Sequence, residues 1–474
     1  MRCFSTLLAA LSVFGGVLLG TEWKALVTSA SDEAGAVIPI GTSSYEQGSP
    51  ISVEEAPAAI AITPDGRTAL VANHDSDTIS VIDIAAGSTS TIDLPSETYP
   101  ENIAITPDGK KAVVVGRPAA YSYCALVLDL TTNQIETNPF SLLFGTSLAI
   151  TPDGKWALVG ASDSLGSISI LDLTTTPASF KANIIPGLFE GEVAVTPDGS
   201  RAIALTSGLN TATMIDLTAQ PDPVQVHTVT VGPNPIEIAI TPDGKRALVL
   251  FAGSTDIDGG ISVLDLTTTP MSVQTLSVPF SGYESYAPTD IAITPDGKKA
   301  VATIQLLVGE PAYSYVLFYD LTTDPISRIS TSEVAIEAAT SVAITPDQAP
   351  TAHFTSTKHG KKVVFDASGS TSPIGSIERY RWKFGDHHKK TTASPVVTHK
   401  YGEEFCGKDL HVQLKVTNTA GTSTKVTFTG KTVSNNGGLS AVCKHHLRLS
   451  SRCRAKDPLV TCARNGFKVR PVGQ

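Results

Sequence analysis

Few residues in this 474-residue chain are of the types that do chemistry, and they are unevenly placed. There are ten histidines, but only His74 and His227 precede residue 353. No Cys-x-x-Cys-His for covalent haem, no paired Cys-x-x-Cys for zinc, no His-Glu-x-x-His and no Gly-x-Ser-x-Gly elbow occurs. The expectation is a non-catalytic chain without a cofactor. Asp256-Ile257-Asp258-Gly259-Gly260 is the one stretch that suggests Ca²⁺, yet its two carboxylates fall short of the six to eight oxygens the ion takes. Asp83, Asp129, Asp172, Asp216, Asp265 and Asp320 recur evenly, mostly before Leu-Thr-Thr, and could be imagined as a ring of metal ligands. A short carboxylate at the end of a strand more simply accepts backbone N–H bonds and opens a turn, and that role is expected here.

These aspartates sit inside a repeat. Ile62-Thr63-Pro64-Asp65-Gly66 occurs in seven copies, with Pro64 repeated as Pro107, Pro152, Pro197, Pro242, Pro295 and Pro346; the fourth copy opens on Val195 and the last has Gln348 in place of Gly. Pro presets φ for the first turn position, Asp caps the turn, and Gly takes the φ > 0 position. Each copy is followed by a strand such as Ala69–Asn73, a polar loop, a strand ending in the repeated Asp, a short turn and a weaker strand. Four short strands at a period of 43 to 53 residues are the content of a propeller blade. The composition agrees: only 6% aromatic residues, with abundant Val, Ile, Thr, Ser, Gly and Pro.

The last pentapeptide is not followed by three more strands. They are expected ahead of the first copy instead: Trp23–Val27, Ala36–Ile40 and Gln47–Val53 should complete a composite seventh blade around Ser341–Thr345. Pairing the two ends would leave no open sheet edge. The residues Ala72-Asn73…Thr78-Ile79-Ser80-Val81-Ile82-Asp83, taken with the Thr-Pro-Asp-Gly turns, resemble the YVTN-type surface β-propeller repeat. A second resemblance begins near residue 349. Phe365-Asp366-Ala367-Ser368-Gly369, Tyr380-Arg381-Trp382-Lys383-Phe384-Gly385-Asp386, His399-Lys400-Tyr401 and Val412–Asn418 are similar to a polycystic-kidney-disease-type (PKD) domain. That resemblance implies an immunoglobulin-like β-sandwich in which Trp382 and Phe384 share a core face; His387 stands where Gly is usual. The expected fold is therefore all-β: a seven-bladed β-propeller over 21–348 and a PKD-like sandwich over 349–433. A basic tail over 434–474 follows. Residues 1–20, with Arg2 and an apolar run from Leu7 to Gly20, read as a secretory signal, so the chain is expected to be secreted or at the cell surface, with no membrane span after removal of that signal. Cys406, Cys443, Cys453 and Cys462 are the disulfide candidates for an oxidising compartment, which leaves Cys124.

Charge divides the chain and then the propeller. Residues 21–348 carry 13 Lys/Arg against 38 Asp/Glu, whereas 349–433 carry 13 against 6. In a four-stranded blade the first and third turns share one face; the second loop and the blade connections share the other. The Thr-Pro-Asp-Gly side carries Lys and Arg beside its Asp. The opposite side holds nineteen acids against a single Arg117. It also holds the longest and least repetitive loops, Arg117–Tyr123, Gly253–Gly260, Phe280–Asp290 and Gln305–Tyr315, with Asp75, Asp77, Tyr121, Tyr123, Asp256, Asp258, Tyr283, Tyr286, Asp290 and Tyr313 as candidate ligand-facing residues. Variable loops on a rigid scaffold, rich in Tyr, suit recognition. The expected partner is an extracellular protein or a glycan or envelope polymer. Nucleic acid is not expected. A propeller hydrolase of lactonase type, with a site that motifs do not reveal, is the alternative.

Overall fold

The computed structural model describes residues 22–30, 35–117, 123–142, 145–161, 167–184, 192–219, 223–254, 257–277, 286–306, 313–329, 334–346, 352–370, 372, 376–406, 408–418, 426–428, 433–435, 440–448 and 460–461. The expected signal at 1–20 and most of the basic tail lie outside them. The fold is all-β, with a seven-bladed β-propeller ahead of an immunoglobulin-like sandwich.

Blade 1 is the antiparallel sheet Pro57–Ile62, Thr68–Asn73, Thr78–Asp83 and Ser88–Asp93, in that order from the inside out. Blades 2 to 6 repeat it, with inner strands Pro100–Ile105, Gly145–Ile150, Val193–Val195, Pro235–Ile240 and Tyr286–Ile293. Blade 6 divides its outer strand into Ser327–Arg328 and Val334–Glu337, both paired with Tyr313–Asp320. Blade 7 is composite, as expected. Its inner strand Ala339–Ile344 pairs with Lys24–Ala30, which pairs with Gly35–Gly41 and then Ile51–Val53. Ala25 faces Ile344, Leu26 faces Ala343 and Val27 faces Val342. The Lys24 amide donates to Thr345 Oγ1 at 2.8 Å, and the hydroxyls of Thr28 and Thr340 share a hydrogen bond of 2.7 Å.

The core lies between blades. Val113 and Val115 of blade 2 pack with Leu148 and Ile150 of blade 3, while Val114, on the other face of the same strand, packs with Leu70 and Ile79 of blade 1. Such shared clusters connect blades 3 with 4, 4 with 5, 5 with 6 and 6 with 7. The last unites Leu26, Val37 and Ile51 of blade 7 with Ile60, Ile62 and Val71 of blade 1. A strand buried on both faces needs apolar residues at successive positions, which is why these strands read Ala-Leu-Val or Ala-Val-Val without alternation.

The Thr-Pro-Asp-Gly turn is built as its residues demand. Thr63 Oγ1 donates to Asp65 Oδ1 at 2.7 Å, the Arg67 amide donates to the same oxygen at 3.1 Å, and the Gly66 amide closes the turn on the Thr63 carbonyl at 2.8 Å. Gly66 has φ of 67°. A further constraint comes from the neighbouring blade: a Cβ on Gly154, itself at φ +72°, would stand 3.2 Å from Cδ of Pro107. The turns of blades 1 to 6 therefore stack on one another, with Gly109, Gly154, Gly199, Gly244 and Gly297 each against the Pro of the preceding repeat. Gly154→Ala is expected to cost ~1–2 kcal/mol from the left-handed backbone alone, read by urea denaturation, whereas Gly48→Ala, which has room and an ordinary φ, should be near neutral.

In four repeats the residue four after the Pro is a cation that adds a tie between blades. Lys111 Nζ reaches the Leu173 carbonyl at 3.3 Å, Arg201 Nη1 the Leu266 carbonyl at 3.2 Å, Arg246 Nη2 the Leu321 carbonyl at 2.9 Å and Lys299 Nζ the Thr42 carbonyl at 2.7 Å. Each carbonyl belongs to the next blade. The cations on this face thus hold neighbouring blades as well as offsetting the turn carboxylates.

Cys124 is a free, buried thiol in the third strand of blade 2. Burial pushes its pKa up to about 11, against a small opposing pull from the Gly116 amide. The thiolate is the reactive form, so Cys124 should resist iodoacetamide at pH 8 in the native protein and react once denatured. Peptide mapping that finds equal labelling in both states would contradict this.

The sandwich has two sheets. One orders Val396–Lys400, Lys362–Asp366, Thr355–His359 and Val460–Thr461; the other orders Lys389–Thr392, Ile377–Lys383, Asp409–Asn418 and Ser440–Arg448. Phe354, Phe365, Trp382, Phe384, Leu414 and Val416 form its core, and the Trp382 and Phe384 rings lie parallel within 4°. His387 takes φ of 69°, so it occupies the left-handed turn position where Gly is usual. Both sheets continue past residue 433: Cys443 stands opposite Leu414, and Thr461 opposite Thr355. The stretch Ser-Ala-Val-Cys-Lys-His-His-Leu-Arg hides its strand character because small and polar residues stand opposite Val412, Leu414 and Val416.

Candidate binding face

The face opposite the Thr-Pro-Asp-Gly turns is set by blade connections and second loops. In blade 1 the second loop runs through His74–Asp77. His74 Nδ1 lies 2.6 Å from Asp75 Oδ1, and its ring rests 5.4 Å from that of Tyr99. Asp77, at φ 51°, accepts the amides of Glu97 and Tyr99, each at 2.7 Å. Asp75 stays exposed, whereas Asp77 uses both oxygens to shape the connection into blade 2. That connection leads to Glu101, whose carboxyl is raised above its ordinary range by burial, with the charges of His74 and Arg117 pulling the other way.

The inner strands carry a feature that sequence reading missed. The residue five before each repeat Pro is Ala59, Asn102, Ser147, Glu192, Glu237, Asp290 or Ser341, polar in six of seven blades. A register shift falls here in blades 1, 2, 3, 5 and 6, between Pro57 and Ala59 and its equivalents. A bulge unpairs a backbone group, and a buried unpaired group must find another partner. In blades 2, 5 and 6 the side chain supplies it. Asn102 Oδ1 accepts the Ile103 amide at 2.9 Å, Glu237 Oε1 the Ile238 amide at 3.1 Å and Asp290 Oδ1 the Ile291 amide at 2.7 Å. Others cross between blades: Ser147 Oγ donates to Glu192 Oε2 at 3.0 Å, and Asp290 Oδ2 accepts Ser341 Oγ at 2.6 Å and the Val342 amide at 2.9 Å.

Glu101, Glu237, Asp290 and Glu337, four of the nineteen acids expected on the loops of this face, instead lie in strands. Glu237 and Asp290 are 6% and 4% exposed, so they hold the ring rather than charge its surface. The signal was available as their fixed offset from the repeat Pro. The expected loop over 253–260 is likewise an extended hairpin, with Gly253 opposite Asp258 and Ser254 opposite Ile257. Tyr286 begins the inner strand of blade 6, opposite Leu306, and Tyr313 begins its third strand with a side chain 53% exposed. Tyr123 begins the third strand of blade 2. Tyr121, Asp256 and Tyr283 lie outside the described residues.

The other face offers little variation. Asp129, Asp172, Asp265 and Asp320 each accept the amide and hydroxyl of the Thr two residues on, at 2.6 to 2.8 Å, and these bonds hold their carboxyls below the ordinary range. Asp216 does the same with Thr218, and Asp83 accepts the amides of Ala85 and Ala86. The expected turn-opening role is what they perform.

Comparison with known proteins agrees with this architecture. Residues 347–433 match the PKD domain family. No curated protein matches the chain. Among solved structures, a functionally unknown protein from Desulfotomaculum acetoxidans DSM 771 is similar at a TM-score of 0.53 and 15% identity, covering 68% of this chain and 98% of its own. A "putative 6-phosphogluconolactonase" from Bacteroides uniformis ATCC 8492 is similar at 0.53 and 14% identity, covering 69% and 100%. Another of that description, from Bacteroides fragilis NCTC 9343, is similar at 0.51 and 16% identity, covering 70% and 99%. Likeness at such identities establishes fold alone: this chain is a β-propeller joined to a PKD domain.

Proposed function

We propose that the protein is an exported, non-catalytic recognition protein whose YVTN-type propeller presents its variable face to an extracellular protein or a glycan or envelope polymer. The observation that carries this reading is the contrast between faces. On one, every described turn carboxylate is engaged in the same local bonds; on the other, residues differ from blade to blade and Asp75 and Tyr313 remain exposed. The proposed contact set is Asp75, Tyr121, Tyr123, Asp256, Asp258, Tyr283, Tyr286 and Tyr313, with Asp77 and Asp290 shaping the scaffold beneath. Export rests on the basic and apolar start of the sequence and on the PKD domain, a module typical of extracellular proteins. Among the described residues no helix is long and apolar enough to cross a membrane. Disulfides from Cys406, Cys443, Cys453 and Cys462 would fasten the C-terminal region to the sandwich; pairing of Ser440–Arg448 and Val460–Thr461 with the two sheets supports this.

A glycan and surface-polymer array probed with the full chain tests the reading. Binding should fall at least ~10-fold in a Tyr313→Ala, Asp75→Ala double variant, the size of effect that loss of contact residues produces, and should be unchanged in Asp265→Ala on the other face. Loss in Asp265→Ala alone, or turnover of lactone substrates by the wild type, would overturn it.

A further inference from the structure

Among the described residues, three metal-ligating side chains converge at one place, and it lies in the sandwich. Asp386 and His388 belong to the turn between Ile377–Lys383 and Lys389–Thr392, while His399 stands on Val396–Lys400 of the opposite sheet. His399 Nε2 is 2.6 Å from Asp386 Oδ2, His388 Nδ1 is 3.2 Å from the same oxygen, and all three ligand atoms lie within 4.8 Å of one another.

Two of the three groups are held before any ion arrives. The His399 ring is stacked on Phe384 at 4.0 Å with 2° between planes, and Tyr401 meets it edge-on at 4.6 Å. Asp386 has a side chain 1% exposed, and its Oδ1 accepts the His388 amide at 3.2 Å. The turn that carries both groups has Gly385 at φ 88° and His387 at φ 69°, which doubles the chain back and sets His388 beside Asp386. His388 is 73% exposed and leaves an open approach from solvent.

We propose that Asp386, His388 and His399 bind a divalent transition ion of the zinc class, through two imidazole nitrogens and one carboxylate oxygen. Two histidines and a carboxylate leave a fourth tetrahedral position for water or an exogenous ligand. Imidazole suits Zn²⁺, Cu²⁺ and Ni²⁺, whereas Ca²⁺ and Mg²⁺ demand oxygen ligands that a single carboxylate does not supply. Ligand atoms in a tetrahedral zinc site stand ~3.3–3.5 Å apart given bonds of about 2.0–2.2 Å. The 2.6 Å contact between His399 and Asp386 is a hydrogen bond, so the ion takes the place of its proton, which leaves to water. Bound there, the ion ties the two sheets together at one edge.

Calorimetric titration of the full chain with ZnCl₂ tests this. His388→Ala removes an exposed ligand without disturbing the core and should weaken zinc binding at least ~10-fold, since even loss of an outer-shell partner has that effect. His399→Gln should abolish binding at this site. His359→Ala, an exposed histidine at the end of Thr355–His359 and outside the site, should leave the isotherm unchanged. Wild-type affinity in His388→Ala, or a wild-type chain that takes up no zinc, would overturn the proposal.

Discussion

A chain lacking residues 22–53 should have no cooperative propeller transition. Those residues supply three of the four strands of blade 7. Leu26, Val27, Val37, Ile40 and Ile51 are each 6% exposed or less, and they contribute to the clusters shared with blade 6 on one side and blade 1 on the other. At about 1.5–3 kcal/mol for each side chain, their loss removes roughly 8–15 kcal/mol, comparable to the entire stability of a typical domain. It also leaves Ala339–Ile344 as an unpaired edge. Circular dichroism melts and limited proteolysis read the outcome: the truncated chain should bind a hydrophobic dye and be cut throughout the propeller. A melt like that of the full chain would contradict the assignment.

Asp290→Ala should be the most damaging single substitution on the inner strands. Its carboxylate accepts three hydrogen bonds, from Ile291 within blade 6 and from Ser341 and Val342 in blade 7, in a setting 4% exposed. Bonds to a charged acceptor are worth ~1.5–3 kcal/mol, and removing the acceptor strands buried donors. The expected loss is ~3–5 kcal/mol, measured by chemical denaturation. Asp75→Ala, on the same side but exposed, should change stability by less than ~0.5 kcal/mol. Similar costs for the two would mean that the bonding across blades 6 and 7 does not hold the ring.

These two cases mark how far the residues could be read in advance. Closure was legible because a blade has four strands and the chain visibly lacks three at its end and has three to spare at its start. The turn chemistry of Thr-Pro-Asp-Gly and the strand-ending Asp was legible because both act within five residues. Burial of Asp290 and Glu237 was not, since a carboxylate beside a Pro and near variable loops reads as surface. Only the bulge explains why a buried strand wants an acceptor there. The extended hairpin at 253–260 was hidden for a similar reason: Gly-Ser-Thr-Asp and Asp-Gly-Gly are turn residues locally, and pairing along a neighbouring strand overrides them. The strand at Ser440–Arg448 escaped notice because its pattern makes sense only beside Asp409–Asn418. What is local, or follows from counting four strands to a blade, was readable; burial and pairing set by the residues of a partner strand were not.

The central claim is that the two ends of the propeller meet in one blade, and a cross-link tests it most directly. Thr28 and Thr340 are 312 residues apart in sequence, with hydroxyls 2.7 Å apart. In a Thr28→Cys, Thr340→Cys protein with Cys124→Ser, mild oxidation should produce an intramolecular disulfide between those positions, identified by non-reducing peptide mapping. It should also raise stability by up to ~5 kcal/mol through the long loop it closes. Thiols at 28 and 340 that stay separately reactive, or that link only between molecules, would contradict the closed seven-bladed ring.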